Sequence, residues 1–126
     1  METMLSAVFQ GNGKLEVMEI PKPEIKSPTE VLIRVIAAGI CGSDLHVLHV
    51  PPGQHADVVL GHEYYGQIEA IGEKVTRWKV GDKVVVDNII KCRSCAPCEN
   101  GRDNLCEHIR VYGQTINGGF AQYSTV

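Results

Sequence analysis

The sequence has no long hydrophobic run. Its longest good apolar stretch, Val31 to Ile40, is interrupted by Arg34 and is shorter than the about 20 residues a membrane-crossing helix needs. The first residues show neither the basic segment nor the apolar core of a secretion signal. No membrane partner is expected, and a cytoplasmic location follows by default. Charge of neither sign dominates: a net charge of -3 and a pI near 5.9 give no electrostatic reason to expect nucleic acid. Internal repeats and low-complexity tracts are absent. So is a dinucleotide fingerprint, because the one Gly-x-Gly, Gly11-Asn12-Gly13, has no third glycine and no following helix pattern. No cofactor-binding residue can be assigned from the sequence.

The 126 residues, 44% of them hydrophobic and 21% charged, suffice for one domain with its own core. Leu5 to Gln10 and Leu15 to Ile20 read as strands joined by the Gly11–Lys14 turn, a predicted hairpin. Pro21, Pro23 and Pro28 bracket a polar loop. Glu30 to Ile40, rich in Val and Ile, is the candidate central strand. Ser43 or Asp44 could cap a short helix over Leu45 to Leu48, ended by Pro51-Pro52-Gly53. In the next strand, Glu63 to Gly72, Tyr64, Gly66, Ile68 and Ala70 share a face. Lys79 to Asp82 is a turn, Lys83 to Asn88 a strand, and Phe120 to Thr125 a last short strand. The expected fold is mainly β and antiparallel, barrel-like or sandwich-like, with an appended lobe and one or two short helices.

Five cysteines are an odd number, and four of them cluster. Cys92, Cys95, Cys98 and Cys106 form C-x2-C-x2-C-x7-C, inside a lobe of about residues 91–107 that buries too little apolar surface to fold unaided. Four thiolates on short turns can close a tetrahedron around a structural zinc, whose binding energy is then also folding energy. An iron–sulfur run also begins C-x2-C-x2-C but continues x3-C-P; here Glu107 follows Cys106. Four reduced thiols are the plain alternative.

Cys41-Gly42-Ser43-Asp44-Leu45-His46 sets out a thiol, a hydroxyl, a carboxylate and an imidazole directly after an apolar run. Gly61-His62-Glu63 forms a second polar cluster after Val58-Val59-Leu60. A soft ligand in the first cluster and borderline and hard ones in the second suggest a zinc site closed by folding. Taken singly, Cys41 can be a small buried residue, Ser43-Asp44 a helix cap and His46 a surface side chain. His49, His55 and His108 match no ligand position and are expected at the surface.

These two clusters, Val80-Gly81-Asp82-Lys83-Val84 and the four-cysteine lobe stand in the order and spacing of the zinc-containing medium-chain alcohol, polyol and threonine dehydrogenases. Over essentially all 126 residues the chain resembles their N-terminal catalytic domain, a GroES-like, partly open antiparallel β-barrel. The resemblance implies that Cys41 and His62 are catalytic zinc ligands and that Glu63 is a third ligand or one that exchanges with water. It implies that Ser43 accepts the proton of a zinc-bound alcohol, that His46 passes it towards solvent, and that Asp44 hydrogen-bonds to His62. Cys92, Cys95, Cys98 and Cys106 would hold a second, structural zinc. The implied substrate is a small alcohol or polyol, with NAD or NADP held mainly by a Rossmann domain not found in these residues, and the full-length protein would be a homo-oligomer. The expectation is of a truncated catalytic domain that folds and binds zinc without oxidising alcohol alone. A stand-alone zinc-binding module of the same fold is the alternative; a zinc-free quinone reductase is disfavoured by the intact cysteine lobe and by Cys41 with His62.

Overall fold

The computed structural model describes residues 1–49 and 57–126; the expected Pro51-Pro52-Gly53 helix stop and His55 lie outside them. The strands are β1 Thr3–Gly11, β2 Lys14–Pro21, β3 Val31–Gly39, β4 Val58–Val59, β5 Glu63–Ile71, β6 Lys83–Val85, β7 Ile89–Ile90, β8 Arg110–Val111 and β9 Tyr123–Thr125, with helices α1 Gly42–Val47 and α2 Ala96–Glu99. They form three antiparallel sheets, ordered β2-β1-β4, β6-β5-β3-β9 and β7-β8. The expected mainly β fold is observed, and no helix among the described residues is long and apolar enough to cross a membrane.

The hairpin forms as its turn chemistry dictates. Gly11, Asn12 and Gly13 all have positive φ (84°, 53° and 72°), a conformation that Gly and Asn accept at least cost. The segment leading into β9 joins the two larger sheets. Ala7 N–H donates to Phe120 O and Gln122 N–H to Leu5 O on one side, and Val35 N–H donates to Gln122 O on the other. Lys22 adds a charged tie, its ammonium 3.1 Å from Glu69 Oε2 and over the Tyr123 ring.

Two apolar clusters fill the interior. Among the described residues, Phe9 and Leu60 pack with Val47 of α1, and Val31 and Ile33 of β3 pack with Ile68 of β5. Phe9 and Ile33 are fully enclosed. The alternation expected for β5 is present, with Tyr64, Gly66 and Ile68 buried and Glu63, Tyr65 and Glu69 exposed.

The boundaries differ in instructive places. Helix α1 starts at Gly42, not Leu45, and its N-cap is Cys41 rather than Ser43 or Asp44. Asp44 serves the cap from inside the helix, its Oδ2 accepting the Cys41 N–H at 2.9 Å, so a carboxylate at the third position does the work of a capping side chain. Strand β6 stops at Val85 and β9 begins only at Tyr123; ahead of β9, Phe120 and Gln122 bond instead to Leu60, Ala7, Leu5 and Val35.

Candidate metal centres

Strand register builds the first site. In the β3–β5 pair, Gly39 stands opposite Glu63. Cys41, two residues past the end of β3, is therefore delivered beside Glu63, the first residue of β5, and His62 just ahead of it. Gly39 leaves room for that carboxylate, since a Cβ there would lie 3.1 Å from Glu63 Oε2. The ligand atoms of Cys41, His62 and Glu63 all fall within 4.8 Å of one another. Tetrahedral zinc with bonds of about 2.0 to 2.3 Å holds its donors roughly 3.3 to 3.8 Å apart, so the cluster can close on an ion with small side-chain adjustments. His62 is buried, Cys41 half-buried and Glu63 exposed. The donor set is thus anchored on one side and open on the other, as a three-ligand site with a free position requires.

The side chains around His62 are ordered by the same helix. Ser43 Oγ is 3.1 Å from His62 Nε2, within hydrogen-bond reach. Asp44 Oδ1 lies 3.3 Å from His62 Nδ1, close enough for an ionic contact, yet Nδ1 has no aligned hydrogen-bond partner. A small rotation of the ring would align it, and a donor atom left waiting in this way fits an imidazole whose final orientation is set by a bound ion. His46 is exposed on α1, and among the described residues no hydrogen bond joins it to Ser43. His49 and His108 are exposed as expected. Beside His62 and Glu63 opens a cleft of about 720 Å³, lined further by Ala37, Ala38, Tyr65, Val85 and Asn88. Sequence reasoning did not find Tyr65 or Asn88 as lining residues, because nothing in a strand's alternation says which exposed face borders a cleft.

The second site is the cysteine loop. The sulfurs of Cys92, Cys95, Cys98 and Cys106 also lie within 4.8 Å of one another. Arg93 takes a positive φ of 60°, turning the chain so that Ser94 N–H and Cys95 N–H both point at Cys92 Sγ (3.4 and 3.3 Å). Cys106 Sγ accepts from Cys92 N–H and His108 N–H, each at 3.3 Å. The Ser94 and Cys95 donors, Ser94 N–H first, lower the pKa of the Cys92 thiol to about 6. Desolvation, followed by the neighbouring thiols, pushes Cys98 up to about 12. Four sulfurs this close cannot all ionise without a cation among them, and a closed set of four soft donors fits zinc in a structural role. The loop's secondary structure is the single turn α2 and a 3-10 turn at Asp103–Leu105.

The antiparallel β-domain brings a thiol, an imidazole and a carboxylate together at the end of the β3–β5 pair and four thiols together in one loop, two candidate metal clusters. The alcohol dehydrogenase GroES-like domain profile matches residues 27–126, and the chain belongs to that family, the GroES-like domain of zinc-containing medium-chain alcohol and polyol dehydrogenases. Among its relatives, D-altritol 5-dehydrogenase of Agrobacterium fabrum is 42% identical over 94% of this chain and 35% of its own length. A structure described as a short chain alcohol dehydrogenase of Escherichia coli, complexed with NADH, superposes with a TM-score of 0.87 at 37% identity, covering 98% of this chain and 36% of the other. A cobalt- and zinc-bound thermostable alcohol dehydrogenase of Pyrobaculum aerophilum superposes at 0.83 with 33% identity, covering 99% and 39%. The chain therefore spans about a third of the length of the proteins it matches.

Proposed function

We propose that these residues form the metal-bearing wall of a dehydrogenase active site that oxidises a secondary alcohol, in the polyol class, with NAD or NADP. The observation that carries the reading is the convergence of Cys41, His62 and Glu63 with Ser43 Oγ 3.1 Å from His62 Nε2. Cys41 and His62 would hold a catalytic zinc, with Glu63 as a third or exchangeable ligand, and the four loop cysteines a structural one. Zinc, when bound, supplies Lewis acidity that lowers the pKa of a hydroxyl beside it.

The chain's own residues do the rest. Ser43 stands where a substrate hydroxyl meets the donor set and accepts its proton. His46, at the solvent edge of the same helix, takes that proton out. The two are not bonded to each other, so water or a ligand hydroxyl completes the path. Asp44 fixes the ring of His62 and the main chain of Cys41 together. Hydride acceptance is assigned to a nucleotide held mainly by a separate Rossmann domain, since Gly11-Asn12-Gly13 is a hairpin turn. The 126 residues alone accordingly bind zinc and do not turn over alcohol.

The test is a chimera in which this chain replaces the matching third of D-altritol 5-dehydrogenase. The expected result is nucleotide-dependent polyol oxidation that Ser43→Ala lowers by about 10²- to 10⁴-fold, with none from the isolated chain. A folded, zinc-loaded chimera that oxidises no polyol overturns the reading.

A further inference from the structure

One short segment grips the residue in front of His62. Gly118 N–H donates to Val59 O, Gly119 N–H to Gly61 O and Phe120 N–H to Leu60 O, at 2.8, 2.8 and 2.9 Å. The approach is so close that side chains are excluded. A Cβ on Gly118 would collide with Gly61 O and lie 2.6 Å from Gly113 Cα, and one on Gly113 would collide with the same carbonyl. A Cβ on Gly119 would run into the Tyr64 ring. Gly61 itself sits at a φ of +95°, with the Phe120 ring 2.6 Å from where its Cβ would be. Gly118 and Gly119 do not have positive φ, so they are glycine for space rather than for conformation.

We infer that Gly113, Gly118 and Gly119 are positioning residues for the first metal site. Their bare main chain lies directly on the Gly61 peptide and so sets where the His62 imidazole stands relative to Cys41 and Glu63. The inference rests on the reading of Cys41, His62 and Glu63 as metal ligands. A methyl group on Gly118 needs a separation of about 3.5 Å from the Gly61 carbonyl, which the main chain can give only by a shift on the order of 1 Å. Metal–ligand bonds accommodate about 0.2 Å. The cysteine loop shares none of these contacts, so it serves as an internal reference.

The experiment is cobalt(II) titration of wild type and Gly118→Ala, following the visible bands of a tetrathiolate site and of a mixed sulfur–nitrogen–oxygen site separately. Gly118→Ala is expected to keep the tetrathiolate spectrum, to alter the ligand-field bands of the mixed site, and to weaken cobalt there by about 10-fold or more. Phe120→Leu, which removes the ring over Gly61 but leaves the main chain intact, is expected to move the mixed-site bands in the same direction by less. It decides the matter if Gly118→Ala loses its circular dichroism and tetrathiolate bands together. Both variants matching wild type in bands and affinity at the mixed site overturns the inference while leaving the metal reading intact. A wild type with tetrathiolate bands alone overturns the metal reading, and this inference with it.

Discussion

Asp44 is the side chain whose removal separates two roles. It is buried. Its Oδ2 accepts the Cys41 N–H at 2.9 Å, and its Oδ1 lies 3.3 Å from His62 Nδ1. Asp44→Ala removes both contacts and leaves the Cys41 N–H without its partner. Loss of a helix cap of this kind, including the half-buried Cys41 N–H it leaves unpartnered, costs about 1 to 2 kcal/mol. Asp44→Asn keeps an oxygen for Cys41 but withdraws the charge that faces His62. Its stability without metal should stay near wild type, while affinity at the first site falls about 10- to 100-fold, the range for lost carboxylate support of a ligating histidine. Urea denaturation of metal-free protein measures the first quantity, and zinc competition with a chromophoric chelator measures the second. The reasoning is refuted if Asp44→Asn binds zinc within twofold of wild type at both sites, or if Asp44→Ala unfolds at the wild-type urea midpoint.

Other perturbations test the scaffold. Gly66→Ala would drive a Cβ into Arg34 O and Ile33 Cγ2 within the β3–β5 pair, and the overpacking should lower urea stability by about 1 to 3 kcal/mol. Ile33→Ala empties a fully enclosed position and should lower it by about 2 to 5 kcal/mol. At the β5–β6 turn, Lys79 N–H donates to Asp82 Oδ2 at 3.0 Å and, with the Lys79 ammonium, holds the Asp82 carboxyl below its usual value. A lowered folded value means that the contribution is present above the unfolded carboxylate range of about 4 and is lost as pH falls through the folded value. The urea midpoints of wild type and Asp82→Asn should therefore differ near neutral pH and converge in acid; a gap independent of pH contradicts the assignment.

How much of this was legible in the sequence depended on whether the signal was local. The Gly11–Gly13 turn and the alternation over Tyr64, Gly66 and Ile68 are short-range features, and both were readable. The approach of the four loop sulfurs was readable too, because C-x2-C turns place their own thiols together. The β7–β8 pair was not, since Ile89–Ile90 and Arg110–Val111 are too short to show any period. The cap on α1 was misplaced because cysteine is an unusual cap residue and the carboxylate that serves it stands inside the helix. The contact of Ser43 with His62 and the glycine packing on Gly61 depend on segments distant in sequence, and a glycine kept for space looks no different in sequence from one kept for its φ.

The most direct test of the whole account is metal content. Purified under reducing conditions and loaded with zinc, the wild-type chain should carry two zinc ions, one for each donor cluster. Cys41→Ser should lose one and keep its fold, whereas Cys106→Ser should lose the other and open the loop to protease. An unchanged zinc content in Cys41→Ser, or a wild type that holds zinc only through Cys92, Cys95, Cys98 and Cys106, would contradict the claim that Cys41, His62 and Glu63 form a metal site.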